Sequence, residues 1–205
     1  MSDLPSTRPA GAAPSRPRPR IYLAGPDVFL RDNQKVFETL KAHCDRLGML
    51  GVEPSDGGLA NDFTGSDDER ARRIYEGNIA LIRESDGVAA NLMDFRGHEP
   101  DSGTVFEVGF AAALGKPVVA YNVPLGSYAE RIVTALPCIR DDAGHLREAG
   151  SGTMVEGLGQ PLNLMLSCST EIAPSAQEAL DRLAQRLGAG AGGIHPGEGR
   201  PSANR

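Results

Sequence analysis

Short apolar runs alternate with longer amphipathic segments through the middle of the chain. The apolar runs have the length of buried strands, and the last of them is continuous, as strands covered on both faces are. A fifth strand is expected to begin at Cys138-Ile139. The four clear runs are Ile21–Ala24, Met49–Val52, Gly87–Leu92 and Val118–Tyr121.

The segments between these runs carry apolar residues at helical spacing. In the first of them Val36, Phe37, Leu40, Cys44 and Leu47 form one stripe, and Gly48 provides a stop. Ser66 precedes three acidic residues, a pattern typical of a helix N-terminus. The predicted helices are Asp32–Leu47, Ser66–Ser85, Thr104–Leu114, Tyr128–Leu136 and Ala176–Leu187.

Alternating strands and helices predict an α/β fold. We expect a single-domain, doubly wound (Rossmann- or flavodoxin-like) parallel sheet of about five strands, with helices on both faces. Ligands of such sheets bind beyond the C-terminal ends of the strands. The loops expected at that edge are Gly25-Pro26-Asp27, Asp94–Gly103 and Asn122–Pro124.

Composition narrows this picture. The chain has 205 residues and a formal net charge of −6, which argues against binding nucleic acid through its phosphates. Residues 1–19, rich in Pro and Arg, and the Gly-rich residues 188–205 are predicted to be disordered tails around a domain at 20–187. The three cysteines are far apart and no apolar run is long enough for a membrane span, so we expect a cytoplasmic protein.

The richest set of ionisable side chains lies between the third strand and the next helix. Glu107 occupies the first turns of a mainly apolar helix, and Asp101 lies six residues earlier. Two carboxyl groups that converge on one pocket suit displacement at the anomeric carbon of a sugar. Acidic residues are also common as helix caps and in solvated loops, and the spacing alone leaves both interpretations open.

The sequence contains neither the GxGxxG pattern of dinucleotide sites nor the P-loop pattern. Its four histidines show no metal-ligand spacing, and no cysteine has a histidine placed to activate it. We therefore expect neither a metal nor an organic cofactor.

Three segments together resemble nucleoside 2-deoxyribosyltransferases. They are IYLAGPDVF at 21–29, EPDSGTVFEVGFAAALGKPVVAY at 99–121, and QPLNLMLS at 160–167. The middle segment is the most specific, because D-S-G-T-x-x-E-x-G fixes both residue type and spacing. The resemblance extends over about 21–187.

The resemblance implies that Glu107 attacks C1′ of a 2′-deoxynucleoside and carries a covalent 2-deoxyribosyl group, which a second base then takes with net retention. Tyr22 would orient Glu107, and Asp101 would contact the sugar. Asn163 and Met165 would enter the site of a neighbouring subunit, which implies a homo-oligomer with shared sites acting on nucleosides and free nucleobases in salvage or modification. The other candidate substrate-binding residues are Gly25, Pro26, Asp27, Asn78, Asp94 and Gly103.

One position departs from the family pattern. Many members have, in the helix before the third strand, an Asp that transfers a proton to the base, and this chain has Asn78 there. An amide cannot act as a general acid, so Asp94 or another loop acid would supply the proton, or the bases would be better leaving groups. Two other functions remain open. One is an N-glycosidase that hydrolyses (deoxy)nucleosides or their 5′-monophosphates, in which Arg96 is a candidate for holding the 5′-phosphate. The other is a nucleoside-binding sensor without turnover.

Overall fold

The computed structural model describes residues 17–57 and 63–189. Its main sheet has five parallel strands in the order β2-β1-β3-β4-β7, which confirms the predicted α/β class. The strands are β1 (Arg20–Ala24), β2 (Leu50–Val52), β3 (Gly87–Asn91), β4 (Val118–Tyr121), β5 (Cys138–Arg140), β6 (Leu146–Glu148) and β7 (Glu171–Ile172). The helices are α1 (Asn33–Arg46), α2 (Asp67–Glu84), α3 (Ser102–Ala113), α4 (Tyr128–Ala135), α5 (Leu164–Ser169) and α6 (Ala176–Leu187).

Helices cover both faces of the sheet, as the sequence predicts. Alternate residues of β1 point to opposite faces, so Ile21 and Leu23 pack with α1 and α6, whereas Tyr22 and Ala24 pack with α2, α3 and α5. All five residues of β3 are buried, because this strand is covered on both faces. The sheet therefore separates two compartments, one on the face of α1 and α6 and the other on the face of α2, α3 and α5.

The fifth strand of the sheet is not where the sequence places it. A strand does begin at Cys138, but β5 pairs antiparallel with β6 in a separate hairpin, and Ile139 is exposed. The sheet is completed instead by β7, which has two residues and pairs with β4. Two residues are too few to show any alternation, so no sequence pattern marks β7.

Local sequence fixes the helix that will carry the candidate nucleophile. Asp101 is the N-cap of α3, and its Oδ2 accepts hydrogen bonds from the Thr104 amide at 2.9 Å and the Thr104 hydroxyl at 3.0 Å. The helix thus begins at Ser102, two residues before the predicted start. At α2, Ser66 and Glu69 form a reciprocal capping box.

Most of the predicted tails, namely residues 1–16 and 190–205, lies outside the described residues. Within the described part of the chain, no helix combines the length and the apolar character needed to cross a bilayer.

Candidate active site

A hydrogen bond between β1 and α3 forms the centre of the site. The Tyr22 hydroxyl donates to Glu107 Oε1 at 2.7 Å, although the two residues are 85 positions apart in sequence. Tyr22 is completely buried, so packing on both sides fixes its ring. Burial raises the pKa of Tyr22, and the nearby Glu107 carboxylate raises it further. The phenol therefore stays protonated and acts as a donor.

Asn78 of α2 contacts the same carboxylate. Its Nδ2 donates to Glu107 Oε1 at 3.4 Å, so one oxygen receives both hydrogen bonds. Its Oδ1 is buried and has no hydrogen-bond partner among the described residues. The sequence prediction that Asn78 faces the site is consistent with this contact, which comes from the register of α2 against α3.

The electrostatics of Glu107 are unusual for a helical glutamate. Burial raises its pKa to about 7, because the charged form loses hydration. The Tyr22 hydrogen bond opposes this shift, the negative charge of Asp101 adds to it, and the Asn78 hydrogen bond opposes it. Glu107 is thus divided between protonated and ionised forms near neutral pH, as residues that exchange protons or attack substrates often are.

Asp101 is both a helix cap and a close neighbour of Glu107. It caps α3 through Thr104, and it is close enough to Glu107 for its charge to raise the pKa of that carboxyl. Gly103 follows it, and a Cβ there would lie 3.1 Å from Asp101 Oδ2. The absence of a side chain at Gly103 leaves room beside the capping carboxylate.

The turn after β1 lies at the same edge, but its carboxylate faces the other compartment. Asn91 Nδ2 donates to both oxygens of Asp27 at 3.0 Å, and the Asn91 side chain lies on the face of α1 and α6. Gly25 is required here, because a Cβ would lie 2.4 Å from Asp27 Oδ2 and 2.8 Å from Asn91 Cβ. Pro26 begins the short 3-10 turn that carries Asp27. The Asp27 side chain is thus not grouped with Glu107.

Asp94 lies beside α4. Its Oδ1 is 3.9 Å from Arg131 Nη2, and Arg131 Nη1 donates to the carbonyl of Pro161 at 2.7 Å. None of the hydrogen bonds of Glu107 involves Asp94. The loop acid considered as a proton donor is therefore engaged with an arginine.

Among the described residues, neither Asn163 nor Met165 is a hydrogen-bond partner of Glu107. Asn163 caps α5 by accepting from the Met165 amide at 3.0 Å, and it donates to Glu156 at 3.0 Å. Met165 is 70% exposed. Both line an apolar groove of about 630 Å³ between α3 and α5.

The sequence analysis did not single out the polar residues Asn91 and Thr104, and it placed Asn122 at this edge only as part of the loop Asn122–Pro124. Asn91 and Thr104 are each at most 2% exposed. Asn122 has a positive φ of 55° and donates to Asn91 Oδ1 at 3.2 Å. Asn at the end of an apolar strand was the available signal, since a buried amide needs a partner. In the described ranges, no cluster of three or more His, Cys, Asp or Glu has the geometry of a metal site.

Comparisons with known proteins identify the family and the fold. A family model described as nucleoside 2-deoxyribosyltransferase matches residues 21–165. An uncharacterized protein of Schizosaccharomyces pombe is 32% identical over 144 residues, which make up 69% of this chain and 68% of that protein. A solved 2-deoxyribosyltransferase from Leishmania mexicana is 30% identical with a TM-score of 0.62, covering 82% of this chain and 97% of that one. A conserved protein from Enterococcus faecalis shares the fold, at 22% identity and a TM-score of 0.54 over 83% and 99% of the two chains.

Proposed function

Because the chain belongs to the nucleoside 2-deoxyribosyltransferase family, we propose that it moves the 2-deoxyribosyl group of a nucleoside from one nucleobase to another. The observation that carries the proposal is the 2.7 Å hydrogen bond from buried Tyr22 to Glu107 at the C-terminal edge of the sheet. Ligands of doubly wound sheets bind at this edge. An oriented carboxylate there has the chemistry of a nucleophile for glycosyl transfer.

The reaction takes place in two displacements at C1′. Glu107 attacks C1′, the bond from C1′ to the base nitrogen breaks, and the base leaves with the electron pair and takes up a proton. A nitrogen of the second base then attacks C1′, loses its proton, and releases the Glu107 carboxylate. Each step inverts C1′, so the product nucleoside retains its configuration.

The two oxygens of Glu107 have different roles in this scheme. Tyr22 and Asn78 both donate to Oε1, so we assign the attack to Oε2. The fixed phenol holds the carboxylate in one orientation, which lowers the entropy cost of reaching the attack geometry. Burial disfavours the charged carboxylate more than the neutral ester, and this difference favours formation of the covalent intermediate.

Asp101 is proposed to contact a sugar hydroxyl. Its Oδ2 is occupied by Thr104, which leaves Oδ1 as the acceptor for substrate. The capping bonds hold this carboxylate rigid while keeping it near Glu107. Neither Asn78 nor the Arg131-bound Asp94 is placed as a ready acid, which favours bases that leave easily or take their proton from solvent.

We further propose that a second copy of the chain covers the groove between α3 and α5. Met165 lines that groove and is 70% exposed, the adjacent Leu164 is also exposed, and exposed apolar side chains at a groove are typical of protein interfaces. Glu156 holds the amide of Asn163 by accepting from its Nδ2 and from the amide of Leu164 at 2.7 Å. A rigid, outward-facing amide suits insertion into the neighbour's site.

Base exchange tests the function directly. The protein is incubated with deoxyinosine, with and without free adenine, and the products are separated by chromatography. Deoxyadenosine that forms only when adenine is present supports transfer. Equal release of deoxyribose in both samples would instead establish hydrolysis, and binding without any product would indicate a sensor.

The covalent step has its own test. Glu107→Ala should abolish exchange, and intact-mass analysis of the unmodified protein with a slow 2-deoxy-2-fluoro-arabinosyl nucleoside should detect a glycosyl adduct. Glu107→Ala serves as the control that cannot form the adduct. Exchange that persists in Glu107→Ala would refute the nucleophile assignment.

A further inference from the structure

A second polar cavity lies at the same edge of the sheet, in the compartment opposite Glu107. It measures about 310 Å³, near the lower end of the roughly 300–1,000 Å³ typical of small-molecule pockets. Its polar lining comes from the ends of β1, β3 and β4 and from the α1 and α6 side, and consists of Asp27, Asp32, Lys35, Thr39, Asn91, Tyr121, Asn122 and Gln177. No step of the proposed transfer uses this cavity.

The floor of the cavity is a buried carboxylate with too few hydrogen-bond donors. Asp27 is 5% exposed, and the only side chain among the described residues that donates to it is Asn91, whose single amide nitrogen is shared by both oxygens; the backbone amide of Asp27 itself is the other donor. A carboxylate can accept about four hydrogen bonds. Within the described residues Asp27 forms no ion pair. Burial raises the pKa of Asp27, and the Asn91 hydrogen bond only partly opposes this.

Asn122 and Asn91 form a chain of hydrogen bonds that ends at the Asp27 carboxylate. Asn122 donates to Asn91 Oδ1 at 3.2 Å, and Asn91 in turn donates to Asp27, so the carboxylate is the terminal acceptor. Successive bonds with the same polarity strengthen one another. The negative charge thus remains without a cation at the end of a rigid amide chain.

The topology also marks this position. β1 and β3 are neighbours in the sheet, but the chain leaves β1 toward α1 on one face and leaves β3 toward α3 on the other. This divergence is the switch point of a doubly wound sheet, where a crevice opens between strand ends. Glu107, bonded to Tyr22, lies on one face of the sheet at this point, and Asp27 lies on the other.

We propose that this cavity binds a small planar molecule that presents two adjacent N–H donors to Asp27: an amidine or an amino-substituted nitrogen heterocycle. Two parallel N–H donors match the two oxygens of a carboxylate. Val36, Leu40 and Ala176 provide apolar walls for a ring. At the rim the charges of Asp32 and Lys35 offset each other, so Asp27 supplies the net charge that selects a donor.

The test is an NMR titration of the ¹⁵N-labelled full chain with benzamidine and, separately, with 2-aminoquinazolin-4(3H)-one, a neutral heterocycle whose ring N3–H and 2-amino group are adjacent donors. Saturable shifts of the Val36 and Thr39 amides are expected with at least one of them, and the probe that produces them identifies cationic amidines or neutral heterocycles as the class bound. Asp27→Asn should weaken this binding by more than about tenfold, since it removes the negative charge and replaces one acceptor oxygen with a donor that faces the N–H groups of the ligand. Asp32→Asn at the rim is the matched control, with an expected change below about threefold.

A second variant guards against misfolding of Asp27→Asn. Ala176→Leu fills the cavity and leaves Asp27 unchanged, so it should also prevent the shifts. The proposal is overturned if neither probe shifts the α1 amides, or if both variants bind as the unmodified chain does. The titration needs no turnover and can be repeated in Glu107→Gln, so its outcome is independent of whether base exchange occurs.

Discussion

Replacing Tyr22 with Phe removes one hydroxyl and leaves the buried ring in place. That hydroxyl donates the shorter of the two hydrogen bonds to Glu107. A bond of 2.7 Å to a carboxylate is a charge-assisted bond that stabilises the ionised form. Its loss should therefore raise the pKa of Glu107 above its present value of about 7.

The size of this shift follows from ordinary hydrogen-bond energies. A hydrogen bond to a charged group contributes about 1.5–3 kcal/mol, and one pKa unit corresponds to about 1.4 kcal/mol. The pKa of Glu107 in Tyr22→Phe should thus rise by about 1–2 units. At pH 7 the ionised fraction would fall from about one half to about one tenth or less, which predicts a loss of about 5- to 50-fold in kcat/KM.

The assay is the pH profile of kcat/KM for base exchange between pH 5 and 9. The unmodified protein should lose activity below about pH 7, because the nucleophile must be ionised, and Tyr22→Phe should shift that limb to higher pH. Tyr121→Phe is the matched control, since Tyr121 is a buried tyrosine on the opposite face of the sheet. An acid limb that stays in place in Tyr22→Phe would refute the proposed coupling.

Three further predictions concern the same site. Glu107→Gln should stabilise the fold increasingly as pH rises. Below about pH 4.5 the Glu107 carboxyl is protonated in both the folded and the unfolded chain, but between about pH 4.5 and 7 only the unfolded chain ionises it. This difference lowers the free energy of unfolding of the unmodified protein by at most about 3 kcal/mol at pH 8, and Glu107→Gln removes that loss. Thermal unfolding at pH 4 and pH 8 checks this, and an equal effect at both values would contradict it. Asn78→Asp should place a second carboxyl group about 3.4 Å from Glu107 and raise the pKa of Glu107, which shifts the acid limb of the exchange profile to higher pH, whereas Asn78→Ala loses only one hydrogen bond. An acid limb that does not move in Asn78→Asp would exclude this repulsion. Asn163→Ala should mainly raise KM for the nucleoside. Mixing it with Glu107→Ala should restore exchange at low substrate, and no recovery would argue against a shared site.

Several features of this site were accessible from sequence because they depend on local patterns. The run D-S-G-T-x-x-E fixes the cap, the glycine and the candidate nucleophile within one helical segment, so their relative positions follow from helix geometry. Asp101 does cap α3, and Glu107 follows within that helix. The register of α2 likewise brings Asn78 to the nucleophile, because helical periodicity fixes which residues share a face.

Other features had no local signal. Asp27 was grouped with the nucleophile because it follows β1 at the right edge, yet its carboxylate pairs with Asn91, 64 positions away, in the other compartment. The face on which a side chain lands after a turn depends on backbone geometry that residue type does not specify. The same holds for β7, whose two residues are recognised as a strand only by pairing with β4.

The sequence by itself determined the fold class, most of the strands and helices, and the family, because hydrophobic periodicity and a contiguous motif are local properties of the chain. The tertiary structure decided how polar groups meet across elements. It set the geometry of the Tyr22–Glu107 contact that the family resemblance implies, assigned Asp27 to a separate cavity, and moved the fifth sheet strand to β7. These pairings depend on strand register and on the packing of helices against two faces, and both are settled by contacts between residues far apart in sequence.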